Sequence, residues 1–85
     1  MAKYKIEIKK SAIKELESIP SNDLKRILTK IESLAEDPRQ TGCIKLSGDD
    51  RYRIRQGNYR ILYTIEDDIL TIFIVKVGHR KDVYN

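Results

Sequence analysis

Along Tyr4–Lys9, YKIEIK, apolar and charged side chains alternate, with Tyr4, Ile6 and Ile8 on one side and Lys5, Glu7 and Lys9 on the other. A period of two predicts a strand with one face buried. The period then lengthens. Ser11 is placed to cap a short helix in which Ala12/Ile13, Leu16 and Ile19 recur at helical spacing. Pro20 ends it, because proline disfavours helical backbone in the residue before it. The strongest periodicity lies in SNDLKRILTKIESLAEDP, where Leu24, Ile27, Leu28, Ile31, Leu34 and Ala35 form one stripe. Ser21 or Asn22 is the expected cap, Asp23 suits the positive end of the helix dipole, and Pro38 closes the run. Two helices joined by so short a connection predict a helical hairpin laid on a sheet.

From Thr41 the pattern changes again. TGCIKLSGDD reads as a loop, with two glycines and paired acids, and three strand candidates follow at Tyr52–Gln56, Tyr59–Glu66 and Ile69–Val77. The last, ILTIFIVKV, is apolar on both faces, which predicts a central strand covered on both sides along most of its length. The expected fold is therefore α+β in the order β-α-α-β-β-β, a helical hairpin packed on a small, largely antiparallel twisted sheet. No repeat, linker or low-complexity segment divides the chain, so residues 1–85 are read as one domain.

Composition narrows the function. A core of this size supplies only ~3–5 kcal/mol of net stability, so part of the stability is expected to come from a partner. The single cysteine, Cys43, excludes an internal disulfide framework and a multi-cysteine zinc site. No stretch has the length of a signal peptide's apolar core or of a membrane span. The expectation is a soluble cytoplasmic protein without membrane association. Net charge is +4, split evenly between residues 1–40 and 41–85, so there is no basic tail. The charge is instead local: acids cluster at Glu66–Asp68, whereas Arg51, Arg53, Arg55 and Arg60 fall within ten residues with no acid among them.

Taking Gly57-Asn58 as a two-residue turn sets the register of the two strands around it. Ile54 then faces Ile61 and Tyr52 faces Tyr63, building one apolar side. Arg55 faces Arg60 and Arg53 faces Leu62, which puts three arginines on the other side. A one-residue slip would destroy this alternation. Opposed like charges in a sheet are unfavourable by some tenths of a kcal/mol up to about one. Arginine's planar fork matches phosphate oxygens two at a time, so the converging set reads as a phosphate site. Tyr52, Tyr59 and Tyr63 fall on the core side by parity.

The tail adds His79, the sole histidine, with Arg80 and, four residues on, Tyr84. No His/Cys/Asp cluster has metal-ligand spacing, and there is no Gly-rich phosphate loop or Ser-His-Asp set. Any chemistry is expected to be metal-free and without a cofactor.

These residues also carry a family likeness. Asp37-Pro38 after the second helix, Lys45-Leu46-Ser47-Gly48, Tyr52-Arg53-Ile54-Arg55, Gly57-Asn58-Tyr59-Arg60-Ile61-Leu62-Tyr63 and Val77-Gly78-His79-Arg80 with Tyr84 stand in this order. The chain resembles, over essentially its whole length, the RelE/ParE toxins of type II toxin–antitoxin systems, with a RelE-like, microbial-RNase-like fold. RelE-type members, as the resemblance implies, are messenger RNA interferases that enter the ribosomal A site. The ribose 2′-oxygen attacks the adjacent phosphate, leaving a 2′,3′-cyclic phosphate and a free 5′-hydroxyl, and translation stops. A cognate acidic, RelB-like antitoxin binds and blocks the toxin in a hetero-oligomer. ParE-type members instead poison DNA gyrase.

Carried over by position, Arg53, Arg55, Arg60 and Arg80 match the family's basic site and Tyr84 its terminal tyrosine. On that match Arg60 and Arg80 are assigned to transition-state charge, Arg53 and Arg55 to the backbone and scissile phosphates, and Tyr84 to substrate placement or proton transfer; Arg51 and Lys45 are read as further phosphate-binding candidates. Related nucleases often have lysine where this chain has Arg53 and Arg55, and arginine cannot accept a proton. A general-base role falls instead to His79, to Tyr84, or to the ribosome and the RNA. The competing readings are a gyrase inhibitor without nuclease activity and a non-catalytic RNA-binding relative.

Overall fold

The computed structural model describes residues 3–48 and 50–79. Strand β1 (Lys5–Ile8) leads into α1 (Lys10–Glu17) and α2 (Ser21–Glu36), followed by β2 (Ile44–Lys45), β3 (Tyr52–Gln56), β4 (Tyr59–Glu66) and β5 (Thr71–His79). One five-stranded sheet has the order β1-β5-β4-β3-β2. Only the β1–β5 pair is parallel. The α+β order is as expected, with one addition. The stretch read as a loop contains β2, two residues paired antiparallel to Tyr52 and Arg53, too short to leave any periodicity.

Both helices pack on one face of the sheet. Ala12 and Leu16 of α1, with Ile19 just after it, and Ile27, Ile31 and Leu34 of α2 meet Ile54, Ile61, Tyr63, Ile72, Ile74 and Val77 of the sheet. Ile13 and Leu28, at the margins of their stripes, stay partly exposed. The helix starts differ from expectation: backbone, not side chains, closes them. Ser11 lies inside α1, and Lys9 and Pro20 occupy the cap positions with no side-chain hydrogen bond. The Pro20 carbonyl accepts the Leu24 N–H at 2.8 Å, a role that needs no donor from proline.

β5 is an interior strand, between β1 and β4, but helices cover it on one face only, so the expectation of a central strand buried on both sides does not hold. Ile72, Ile74 and Val77 are buried, whereas Phe73 is 36% exposed on the opposite face. An irregularity in the β4–β5 ladder explains how even- and odd-numbered residues share one core. Leu62 pairs with Lys76 and Tyr63 with Ile74, so Val75 is the extra residue. This bulge shifts the phase by one, bringing Val77 inward and keeping the Lys76 ammonium out of the core. β5 also outruns β1, whose pairing ends at Ile74. Along that bare edge the Glu15 carboxylate takes the place of a strand, accepting from the Val77 N–H at 3.0 Å and from Lys76 Nζ at 2.8 Å.

Tyr63 is fully buried, and its hydroxyl donates to the Pro38 carbonyl at 2.7 Å, tying the end of α2 to the middle of the sheet. Burial pushes its ionisation far above the ordinary phenol range. A second tie, Arg39 to both oxygens of Asp67 at 2.9 and 3.3 Å with the Tyr4 hydroxyl on the same carboxylate, is largely exposed and contributes little. The buried tie is the one that matters. Tyr63→Phe keeps the ring and leaves the Pro38 carbonyl without its donor, and is expected to cost about 1–3 kcal/mol in urea unfolding, with an unchanged denaturant slope.

Candidate functional site

The site is built from the β3–β4 hairpin. Gly57 turns at φ +60° while Asn58 keeps a negative φ, the signature of a type II′ turn that matches the twist of the flanking strands. The register is the expected one: Tyr52 opposite Tyr63, Arg53 opposite Leu62, Ile54 opposite Ile61, Arg55 opposite Arg60. Ile54, Ile61 and Tyr63 go to the helices, which sends Arg53, Arg55 and Arg60 to the open face.

On that face the three arginines differ. Arg55 is exposed, and with Arg60, Gly57, Asn58 and Tyr59 it lines a small cup of about 150 Å³ at the turn. Arg53 is only 6% exposed, flanked in the ladder by Ile44 of β2 and Leu62 of β4. Beside it Leu46 and Leu62 form a small apolar cluster of their own on this side of the sheet. Burial first, then the charges of Arg60 and Arg55, hold the Arg53 guanidinium below its usual range. It stays cationic at neutral pH, since even a lowered arginine titrates far above it. Among the described residues no acid pairs with Arg53 or Arg55. A nearly buried cation without a carboxylate, pressed by two like charges, is a site prepared for an anion.

The remaining predicted residues are placed unevenly. Arg51 precedes β3 in phase with Arg53, and its carbonyl accepts the Leu46 N–H at 2.9 Å. Lys45 pairs with Tyr52 at the opposite end of β3 from the turn, where Arg39, Asp50 and Glu66 surround it. The structure does not bring it to Arg55 and Arg60. His79 pairs with Tyr59, their rings edge-to-face at 5.6 Å, so it lies on the helix side of the sheet. It shares a groove of about 290 Å³ with Glu15, Ser18, Ile19, Tyr59 and Lys76. The residue facing Arg60 across the β4–β5 ladder is Gly78, which has no side chain to crowd the guanidinium. Arg80 and Tyr84 lie outside the described residues. No group of three or more His, Cys, Asp or Glu side chains gathers as a metal site among the described residues, and no helix there is long and apolar enough to cross a membrane.

Two features escape the sequence. The Glu15 brace on the edge of β5 joins residues more than sixty positions apart and leaves no local signal. Phe73, in a run apolar at nearly every position, shows no alternation that would have placed it on the open face.

The arrangement has relatives. Residues 6–84 match the family model described as the ParE toxin of type II toxin–antitoxin system, parDE. The chain is 35% identical to Toxin RelE3 of Methanocaldococcus jannaschii, over 95% of this chain and 96% of that one. It is 30% identical to the mRNA interferase toxin RelE of Escherichia coli K12, over 96% and 90%. Its fold superposes with a TM-score of 0.84, at 27% identity and over 96% and 97% of the two chains, on the RelBE2 toxin–antitoxin complex of Mycobacterium tuberculosis. A helical hairpin on one side of a five-stranded sheet, arginines on the other, and a family match from Ile6 to Tyr84 converge: this chain belongs to the RelE/ParE family of toxins of type II toxin–antitoxin systems.

Proposed function

We propose that this chain is a ribosome-dependent endoribonuclease that cleaves messenger RNA in the A site and thereby stops translation. The observation that carries the reading is the arginine face: Arg53 nearly buried without an acidic partner among the described residues, and Arg55 directly across from Arg60. A gyrase inhibitor has no chemical use for such a set. A phosphodiester does, because cleavage by the ribose 2′-oxygen concentrates negative charge on the phosphorane. The E. coli interferase, at 30% identity over nearly the whole chain, supports the same reading.

In the proposed reaction the 2′-oxygen attacks the adjacent phosphorus and its proton passes to a base. The bond from phosphorus to the 5′-oxygen breaks, and the leaving oxygen takes a proton. The products are a 2′,3′-cyclic phosphate and a 5′-hydroxyl. Arg53 and Arg55 hold the scissile and neighbouring phosphates, and Arg60, with Arg80, meets the phosphorane charge. Guanidinium charge substitutes for a metal in this scheme. None of these arginines can accept a proton. His79 stands across the sheet from the Arg60 side chain, so Tyr84, the RNA or the ribosome is left to supply the base, and this ties cutting to the ribosome. The toxin works in the cytoplasm, and an acidic RelB-like antitoxin silences it in a hetero-oligomer; the similar RelBE2 structure is a toxin–antitoxin complex.

The description of the family model as a ParE toxin favours one second reading, poisoning of DNA gyrase without nuclease activity. Induced expression with primer extension on a reporter messenger RNA separates the two. The nuclease reading predicts growth arrest with in-frame cuts at translated codons, and Arg60→Ala is expected to slow cutting roughly 10²–10³-fold. Arrest without cuts, unchanged by Arg60→Ala, would send the assignment to gyrase. The site also predicts a trade between stability and activity. Arg55→Glu turns an opposed like-charge pair into an opposite-charge pair, and should raise the unfolding free energy by about 0.2–1 kcal/mol while abolishing cleavage.

A further inference from the structure

The open face of the sheet carries one aromatic side chain among the described residues, and it is not one of the tyrosines. Tyr63 is buried in the helix-side core with Tyr52 stacked on it at 5.7 Å, and Tyr59 packs against His79 on that same side. Phe73 instead pairs with Thr64 of β4, which shares the phase of Arg60 and Leu62, and with Glu7 of β1. Its ring therefore stands on the arginine side. Thr64 and Thr71, two of the neighbours in phase with it, are short, and Glu66 lies opposite Thr71 on the same face. The nearest acid on this face, Glu7, is already held by Lys5 Nζ at 3.1 Å. Thr64 is four positions along β4 from Arg60, which sets Phe73 ~13 Å from the cup between Arg55 and Arg60 along the strands.

A lone exposed phenylalanine would by itself mean nothing. Its setting gives it meaning: among the described residues it is the one open aromatic ring on a sheet face where no acid pairs with Arg53 or Arg55, within reach of a short single strand anchored by its phosphates. A cationic groove with a flat π-face beside it is how proteins hold single-stranded nucleic acid, the charges taking the backbone and the ring taking a base. We propose that Phe73 is a base-stacking platform, binding an unpaired nucleobase of the same RNA strand whose phosphate occupies the arginine cup. This rests on the nuclease reading of that cup. Stacking makes no use of base edges, so the contact positions the strand with little sequence preference. Phe73 is a positioning residue that acts on KM more than on kcat.

The test uses programmed ribosomes with 2-aminopurine replacing single bases around the A-site codon. Cleavage is timed with the native chain, and stacking is read as fluorescence quenching with the Arg60→Ala toxin at saturating concentration, before its slowed cutting proceeds. Phe73→Leu keeps an apolar side chain of similar bulk but removes the π-face; Phe73→Tyr restores it. The expected result is a KM raised about tenfold or more by Leu and returned by Tyr, with kcat and the thermal midpoint nearly unchanged. One labelled position should be quenched by the Arg60→Ala toxin and released when Phe73→Leu is added. Equal quenching with and without the ring, or loss of kcat with no change in KM, would overturn the platform. So would a Phe73→Leu toxin that keeps its KM but loses the antitoxin or changes its oligomeric state, since the ring would then belong to a protein contact. If the native chain cuts no messenger RNA, the nuclease reading fails on that arm alone, and quenching still decides whether a base stacks on Phe73.

Discussion

The register between β3 and β4 is the constraint on which the site depends. Side chains in a strand alternate, so once Ile54, Ile61 and Tyr63 are committed to the helices, Arg53, Arg55 and Arg60 have no choice of face. The energies are unequal. Burying each of those large side chains contributes ~2 kcal/mol or more, whereas setting Arg55 against Arg60 costs at most about one. The core thus holds together a set of charges that would separate if left alone. Electrostatic preorganisation of this kind needs a rigid frame, and the buried bond from the Tyr63 hydroxyl to Pro38 places the end of α2 and the centre of β4 in that frame.

The second constraint is that only one face of the sheet is covered. Two helices suffice to bury one side of five strands and no more, so the other side is surface whatever its composition. That is why Phe73 and Ile44 remain partly exposed in strands, and why Arg53 finds apolar company only in Ile44, Leu46 and Leu62. The bulge at Val75 belongs to the same logic. By shifting the phase of β5 it puts Val77 under the helices and Gly78 opposite Arg60, so one irregularity completes the core and leaves the cup uncrowded.

Much of this was legible in the sequence because strong local rules carried it. Gly57-Asn58 marked the turn, and alternation on both sides of it marked the register to the residue. The i, i+3, i+4 stripe marked α2. What could not be read was either too short or too distant. β2 has two residues, and pairing against Arg53 rather than any propensity makes it a strand. The cap positions fell to Lys9 and Pro20 because a backbone carbonyl can close a helix without help from serine or asparagine. Arg53 read as one arginine among equals, and its near-burial follows only from Ile44 and Leu62 meeting on either side of it. The apolar run of β5 carried no sign of which face was covered, so Phe73 was invisible as a surface residue.

The same geometry bears on the proposed dependence of the site on a larger machine. Three guanidiniums on one face can bind phosphate and stabilise a pentacoordinate phosphorus, but each is a permanent donor of positive charge and none can take a proton. His79, the sole histidine, packs edge-on to Tyr59 on the helix side of the sheet. The described residues therefore divide the chemistry in two: charge stabilisation is built into the hairpin, and proton transfer is not. Under the nuclease proposed above, a toxin so divided would be quiet toward free RNA and active only where another surface aligns the 2′-oxygen with phosphorus and completes the acid–base pair. That division would let a cell carry a nuclease whose damage is confined to translating ribosomes.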